Sequence, residues 1–447
     1  MPKQQSNTQT WFKPQDLQNN KKTAYINARL IDPETKLDVL GSLLTEGDKI
    51  TDFGENLFND GVPEGIEVVD CKGNILCPGL LDIQVHFREP GLEYKETIQT
   101  GSKSAAAGGV TTVVCMPNTI PVIDDPTIMD FINKQAHDEA YVNIRAYGAI
   151  TKGQKGKDLS EMALLKEAGV SGFTDDGLPV MNSLVMRHAM EYASMLDLPI
   201  CQHAEDLNLS NGGCINEGKI SAQLGLKGIP NASEAIIVDR DLLLLELTGG
   251  HYHVLHISTY QAIESVRRAK KKGLNVTCEV APHHFSLTED AVLEHDSFAK
   301  MNPPLRTNKD IDAILEGLKD GTIDAIATDH APHEDEVKNI PISKAAFGIV
   351  GLETMLPLSL NLYHKNILSL NDVLATMTYK AADIIREPAG SLKKGAKADL
   401  TLIDLDEEWT IEHSDFVSKS KNTPLSGEKT KGRAIMTIVG GKIVYKL

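Results

Sequence analysis

The chain has 447 residues, with 45 Lys and Arg against 62 Asp and Glu, a formal net charge of −17. That acidic surplus argues against a nucleic-acid or anionic-membrane surface, and 41% hydrophobic with 24% charged residues is ordinary for a globular protein. The length suits a large barrel plus an appendage. The first stretch, MPKQQSNTQTWFKPQDLQNNKK, is polar and has no apolar signal core, and no apolar run is long enough to span a bilayer. Six cysteines (Cys71, Cys77, Cys115, Cys201, Cys214 and Cys278) form no C-x-x-C pair, and several lie in apolar runs. Buried, reduced thiols in a cytoplasmic protein are expected.

In chain order, residues 1–22 read as a tail that orders only when it docks. Residues 23–75 carry strand signals, TAYINARLID and then GSLLTEGDKITDFG with a Gly-Asp turn. Residues 391–447 have the same character in ADLTLIDLD, AIMTIVGG and KIVYKL. The two ends are expected to combine in one small β domain, a β-sandwich, flanking a central domain over 76–390. Within the centre, strand-like runs fall near 79–86, 111–116, 142–149, 170–174, 198–203, 252–257, 275–281 and 322–329. Helical periodicity fills most intervals, as in DLSEMALLKEAG at 158–169 and MNSLVMRHAMEYASMLD at 181–197. Eight strands alternating with helices predict an α/β fold, the (β/α)8 TIM barrel. The basic run RRAKKKG at 267–273 reads as a helix end, where cations face the negative pole of the helix dipole and glycine stops it.

Active-site groups of such barrels sit where the strands end. The first strand runs into LDIQVHFREPG at 81–91, in which Asp82, Gln84, His86 and Arg88 alternate onto one face. This is a D-x-H-x-H metal pattern with glutamine in place of its first histidine. The later strand ends offer Asn118 in CMPNT, Asp175 and Asp176 in GFTDDG, His203 in ICQHAED, His256 in VLHIST, and Asp329 with His333 in AIATDHAPH. Any one of these has a plainer reading. A lone histidine after an apolar run is more often a hydrogen-bonded core residue, and either aspartate of FTDDG is a competent helix cap. Their coincidence at the ends of one predicted barrel is the signal.

Imidazole with carboxylate suits Zn²⁺ or a similar divalent ion. Three histidines and two aspartates suffice for two ions sharing a bridging carboxylate, and such a pair lowers the pKa of a bridging water toward neutrality. Asp329 is placed to ligate and to shuttle the proton. In so acidic a chain, an arginine inside the site supplies the local positive charge that an anionic substrate needs. No G-x-S-x-G elbow, phosphate loop or dinucleotide fingerprint competes. His253, His283, His284 and His330 are given structural roles.

Taken together, HFREPG, CMPNT, FTDDG, HAED, HIST, PHH, NPPLR and ATDHAPH resemble the amidohydrolase superfamily and, within it, the dihydroorotases of the long bacterial class, over about residues 24–447. The resemblance implies reversible hydrolysis of L-dihydroorotate to N-carbamoyl-L-aspartate by metal-bound hydroxide, in pyrimidine biosynthesis, with one or two Zn²⁺ ions. It also implies a homodimer and contact with aspartate transcarbamoylase. His86, Asp176, His203, His256 and Asp329 become the metal ligands, with Asp329 the catalytic base. The family's spacing favours Asp176 over Asp175 as the bridge. Arg88, Asn118, Asn302, His333 and the backbone at Phe347 and Gly348 become the substrate pocket.

Gln84 departs from the family pattern, since an amide oxygen is a weaker ligand for a zinc-like ion than imidazole. Three outcomes follow: Gln84 coordinates, one ion is held weakly, or the chain is inactive. The expectation is an active enzyme, because an idle chain has little physical reason to keep a cluster of buried polar groups. Two alternatives are a non-catalytic scaffold for aspartate transcarbamoylase and another cyclic amidase, a hydantoinase or dihydropyrimidinase. GVSGFTDDG lacks the bridging lysine typical of the latter, and Arg88 would meet no carboxylate in their substrates.

Overall fold

In a computed structural model, residues 10–13 and 21–447 are described. The central region is a closed ring of parallel strands. Leu80–Val85, Val110–Cys115 and Asn143–Ala146 pair in that order. Single bridges carry the ring from Gly148 to Phe173 and from Phe173 to Ile200. Ile200–Gln202, Tyr252–Val254, Val276–Val280 and Ala325–Ile326 continue it, and a parallel bridge from Val85 to His330 closes it. Every residue of the first two strands is buried, as expected for parallel strands covered on both faces. The predicted (β/α)8 barrel is therefore the observed one. Its fourth strand is the weakest, reduced to the bridges at Phe173.

Local sequence explains where the surrounding helices start. The Thr97 side chain accepts from Thr100 N ahead of Ile98–Ala107, Asn182 from Leu184 N ahead of Ser183–Met195, and Thr259 from Ala262 N ahead of Tyr260–Lys271. The last of these ends in the basic run and stops at Gly273, whose φ of 82° suits glycine best. Helix Tyr379–Ile384 packs Ala381, Ala382 and Ile384 against Leu81, Tyr147 and Cys201, at the end where the strands begin. Leu81 N donates there to Met377 O at 2.7 Å. The opposite end is left to the site.

Both ends of the chain build the second unit, a sheet of nine strands among the described residues. Ile75–Pro78 pairs with Lys22–Asp32 on one side and with Leu400–Thr410 on the other, joining early and late sequence in one ladder. Tyr25, Leu30, Leu43, Leu76, Leu400 and Ile438 form its buried apolar cluster. Most of the tail lies outside the described residues, but Thr10–Trp11 pairs with Lys446 and Tyr445. Hydrogen bonds fasten the sheet to the barrel: Thr401 Oγ1 donates to Gly109 O and Thr437 Oγ1 to Ala106 O, both at 2.6 Å. Among the described residues no helix is long and apolar enough to cross a membrane, and all six cysteines are free and buried.

Candidate metal centre

At the C-terminal rim of the barrel lies a cavity of about 200 Å³. It brings together His86 and Arg88 from the first strand end, Asn118 from the second, Asp176 from the fourth, His203 from the fifth and His256 from the sixth. Asn302, Asp329, His333, Phe347 and Gly348 complete the wall. Asp175 points elsewhere and accepts from Thr151 N at 3.0 Å. Gln84 does not line the cavity: it is fully buried, and neither Oε1 nor Nε2 has a hydrogen-bond partner. Asp82 also stays out of it, accepting from Thr328 N at 3.0 Å and bracing the strand end next to Asp329.

Three site residues adopt left-handed backbone, Arg88 at φ 63°, His256 at 31° and Asp329 at 49°. Such conformations cost about 1–3 kcal/mol each and persist where packing over-determines them. Here the turn aims each side chain inward just as its strand ends.

The acidic and imidazole groups form two sets that share one carboxylate. Asp176 Oδ1 lies 3.4 Å from His256 Nε2 and 3.6 Å from His203 Nδ1, while its Oδ2 lies 3.2 Å from His86 Nε2. His86 Nε2 is also 3.0 Å from Asp329 Oδ1. Asp176 with His203 and His256, and His86 with Asp176 and Asp329, are thus each close enough to hold one ion.

Hydrogen bonds on the far ring nitrogens turn the near ones toward that space. His86 Nδ1 donates to Asn118 Oδ1 at 2.9 Å, and His203 Nε2 donates to Glu205 Oε2 at 3.0 Å. This leaves His203 Nδ1 bare and only 2.9 Å from His256 Nε2. Asp176 Oδ1 is buried without a hydrogen bond. Converging lone pairs of this kind fit a divalent cation.

The titration behaviour agrees. Burial and the Arg88 charge push His86 down, yet the carboxylates of Asp176 and Asp329 outweigh them and raise it to about 9. Burial opposes ionisation of Asp176, but His256 and His86 hold its carboxyl well below the usual range. Beside Asp176 and Asp329 the pocket favours positive charge.

Two neighbours escaped the sequence reading. Glu205, the acid of HAED, also accepts from Asn302 Nδ2 at 2.9 Å. Burial pushes its carboxyl up, but the His203 hydrogen bond and charge bring it down to about 2. Its place in the motif was the available signal. Lys95 reaches the pocket edge from the loop after REPG, with Nζ 3.3 Å from His333 Nδ1. Among the other histidines, His284 Nε2 donates to Pro303 O at 2.9 Å and His330 Nδ1 accepts from Gly351 N at 3.1 Å.

Paired histidine–aspartate sets on the rim of such a barrel define a metal-dependent hydrolase of the amidohydrolase type. Residues 73–262 match the family model described as Dihydro-orotase-like, and residues 252–445 that of the Amidohydrolase family. Over 441 residues the chain is 61% identical to a dihydroorotase of Wolbachia sp. subsp. Brugia malayi (strain TRS), covering 98% of this chain and 99% of that one. A dihydroorotase of Geobacter sp. (strain M21) is 50% identical, with 94% and 98% covered. The chain belongs to the dihydroorotase family.

Among solved structures, L-hydantoinase from Arthrobacter aurescens superposes with a TM-score of 0.86 at 26% identity, over 94% of this chain and 95% of the other. Dihydropyrimidinase from Brevibacillus agri NCHU1002 gives 0.82 at 21% identity, over 95% of each chain, a likeness of fold.

Proposed function

We propose that the chain hydrolyses L-dihydroorotate reversibly to N-carbamoyl-L-aspartate, at the step of pyrimidine biosynthesis that closes the ring in the reverse direction. The observation that carries this reading is Arg88. It is buried in the cavity, its Nε has no hydrogen-bond partner, and no carboxylate stands within ion-pair distance of it among the described residues. A guanidinium held so close to a cluster of ligands, with its Nε unengaged, fits the carboxylate that dihydroorotate carries and hydantoin and dihydrouracil lack.

Zn²⁺ is the proposed ion, held by Asp176 with His203 and His256 and, at a second position, by His86, Asp176 and Asp329. When bound, it supplies an acidified water and polarises the scissile carbonyl. The chain's own groups do the rest. Arg88 offers a bidentate fork to the substrate carboxylate, with Asn118 and His333 beside it. Asn302, Phe347 and Gly348 close the pocket around the ring. Asp329 takes the proton of the attacking water on a carboxylate oxygen and returns it to the ring nitrogen as the C–N bond opens. In the reverse direction the same carboxyl gives up what it took. The reading further comprises a cytoplasmic location, which the buried free thiols support, and a homodimer that meets aspartate transcarbamoylase.

Turnover of dihydroorotate, dihydrouracil and hydantoin by the wild type and Arg88→Met tests the assignment. Dihydroorotate alone should be hydrolysed, and Arg88→Met should lower its kcat/KM by about 100-fold, the worth of a lost charge-assisted pair. Comparable turnover of the neutral rings would overturn it.

A further inference from the structure

His333 stands between two cations. Arg88 Nη2 lies 3.4 Å from its Nε2 and Lys95 Nζ lies 3.3 Å from its Nδ1. Burial, and then the charges of Arg88 and Lys95, push its pKa down to about 2, so the ring is neutral. A neutral imidazole carries one N–H and one lone pair. It accepts from one of these two donors, and its N–H must face the other.

Position decides which. The Lys95 ammonium is largely buried, with the Glu334 carboxylate at 4.0 Å as its nearest acidic neighbour, so His333 Nδ1 is its closest acceptor. Its backbone is fixed, since Lys95 O accepts from Ser420 Oγ at 2.7 Å. The Gly348 backbone bounds the ring on one side. Gly348, at φ 149°, packs so close that a Cβ there would lie 2.8 Å from His333 Cδ2. His333 N is anchored on Asn422 Oδ1 at 2.9 Å. Arg88, in contrast, keeps donors for a partner that is not protein.

We propose that Lys95 is a positioning residue for substrate recognition: by donating to His333 Nδ1 it fixes the Nε2–H tautomer, so that His333 Nε2–H and the Arg88 guanidinium present paired donors to one substrate carboxylate. The two N–H groups face each other across 3.4 Å, an arrangement that an anion between them relieves. Lys95 thereby acts on recognition through His333, not by touching substrate. The inference rests on the reading that Arg88 meets the carboxylate of dihydroorotate.

The test is a double-mutant cycle with a spectroscopic readout. In ¹⁵N-histidine-labelled protein, with His333 assigned through His333→Gln, the wild-type ring should show the Nε2–H tautomer. Lys95→Met should raise KM for dihydroorotate about tenfold, with kcat changed by less than about threefold, and Lys95→Arg should restore KM. The double variant Lys95→Met/His333→Gln should match His333→Gln alone, because the lysine works through the ring.

Additive effects in the double variant, or an Nδ1–H tautomer in the wild type, overturn the proposal. The tautomer measurement decides even if Lys95→Met fails to fold. An Arg88→Met variant with unchanged KM would instead remove the underlying reading, whereas a large Arg88 effect beside a silent Lys95→Met removes only this inference.

Discussion

The two candidate ligand sets share Asp176 but are not equals. One half has two imidazoles, and His203 is steadied from behind by Glu205. The other has a single imidazole, His86, oriented by the neutral amide of Asn118, and the residue that would supply a second nitrogen is Gln84, buried with no partner. Imidazole and an anionic outer partner both strengthen a ligand set for zinc-like ions. On the proposed two-ion reading, the difference makes the position at His203 and His256 the firmer one and the position at His86 and Asp329 the looser. It also separates the holding of an ion from the catalytic duty proposed for the weaker half, where Asp329 sits.

The asymmetry can be broken from either side. Asp329→Asn keeps shape but removes the proposed base, and a kcat lower by about 10³-fold with normal binding of one ion is expected, within the usual range for general-base loss. Retained turnover would remove Asp329 from that role. Glu205→Gln strips the firm half of its anionic support and should weaken its ion about 10- to 100-fold, read by competition with a chelator. Asn118→Ala, tested the same way, should disturb only the looser position. Gln84→His should raise the metal content toward two ions per chain by elemental analysis, and an unchanged content means that Gln84 is not what limits that side.

The smallest effect lies away from both halves, and serves as a control. Lys338 is buried, its Nζ donating to Lys300 O at 3.0 Å and Ala346 O at 3.1 Å in the loop that carries Phe347 and Gly348. Burial, with the Lys300 charge, lowers its pKa to about 7 from the ordinary lysine value. Between pH 7 and that ordinary value the unfolded chain holds a proton the folded chain has released, so stability should rise with pH across the window. Lys338→Met should flatten that part of the melting-temperature profile without altering metal content.

Much of this was legible in the sequence because barrel strands announce themselves as apolar runs and their ends as sudden polar residues. Phe173 shows the limit: GVSGFTDDG reads as a strand, yet only one residue makes its bridges, because the chain turns at once toward Asp175 and Asp176. Between those aspartates the local pattern is silent. Thr151, distant in sequence, takes one of them and frees the other. Gln84 was visible as a departure, but its isolation depends on neighbours from other strands. Glu205 sits two residues from the histidine it supports and could have been read from HAED, whereas Lys95 meets His333 across 238 residues, a dependence that leaves no periodicity to read.

The ladder between Ile75–Pro78 and Leu400–Ile403 has a temporal consequence. Cys77 Sγ and the Thr401 carbonyl it contacts are 324 residues apart. At ribosomal rates of about 5–20 residues per second, the early strand waits roughly 15–65 s for its partner to be made. During that interval the nascent chain carries an open hydrogen-bonding edge, so synthesis on the ribosome, more than the finished protein, is where this architecture is most exposed to aggregation.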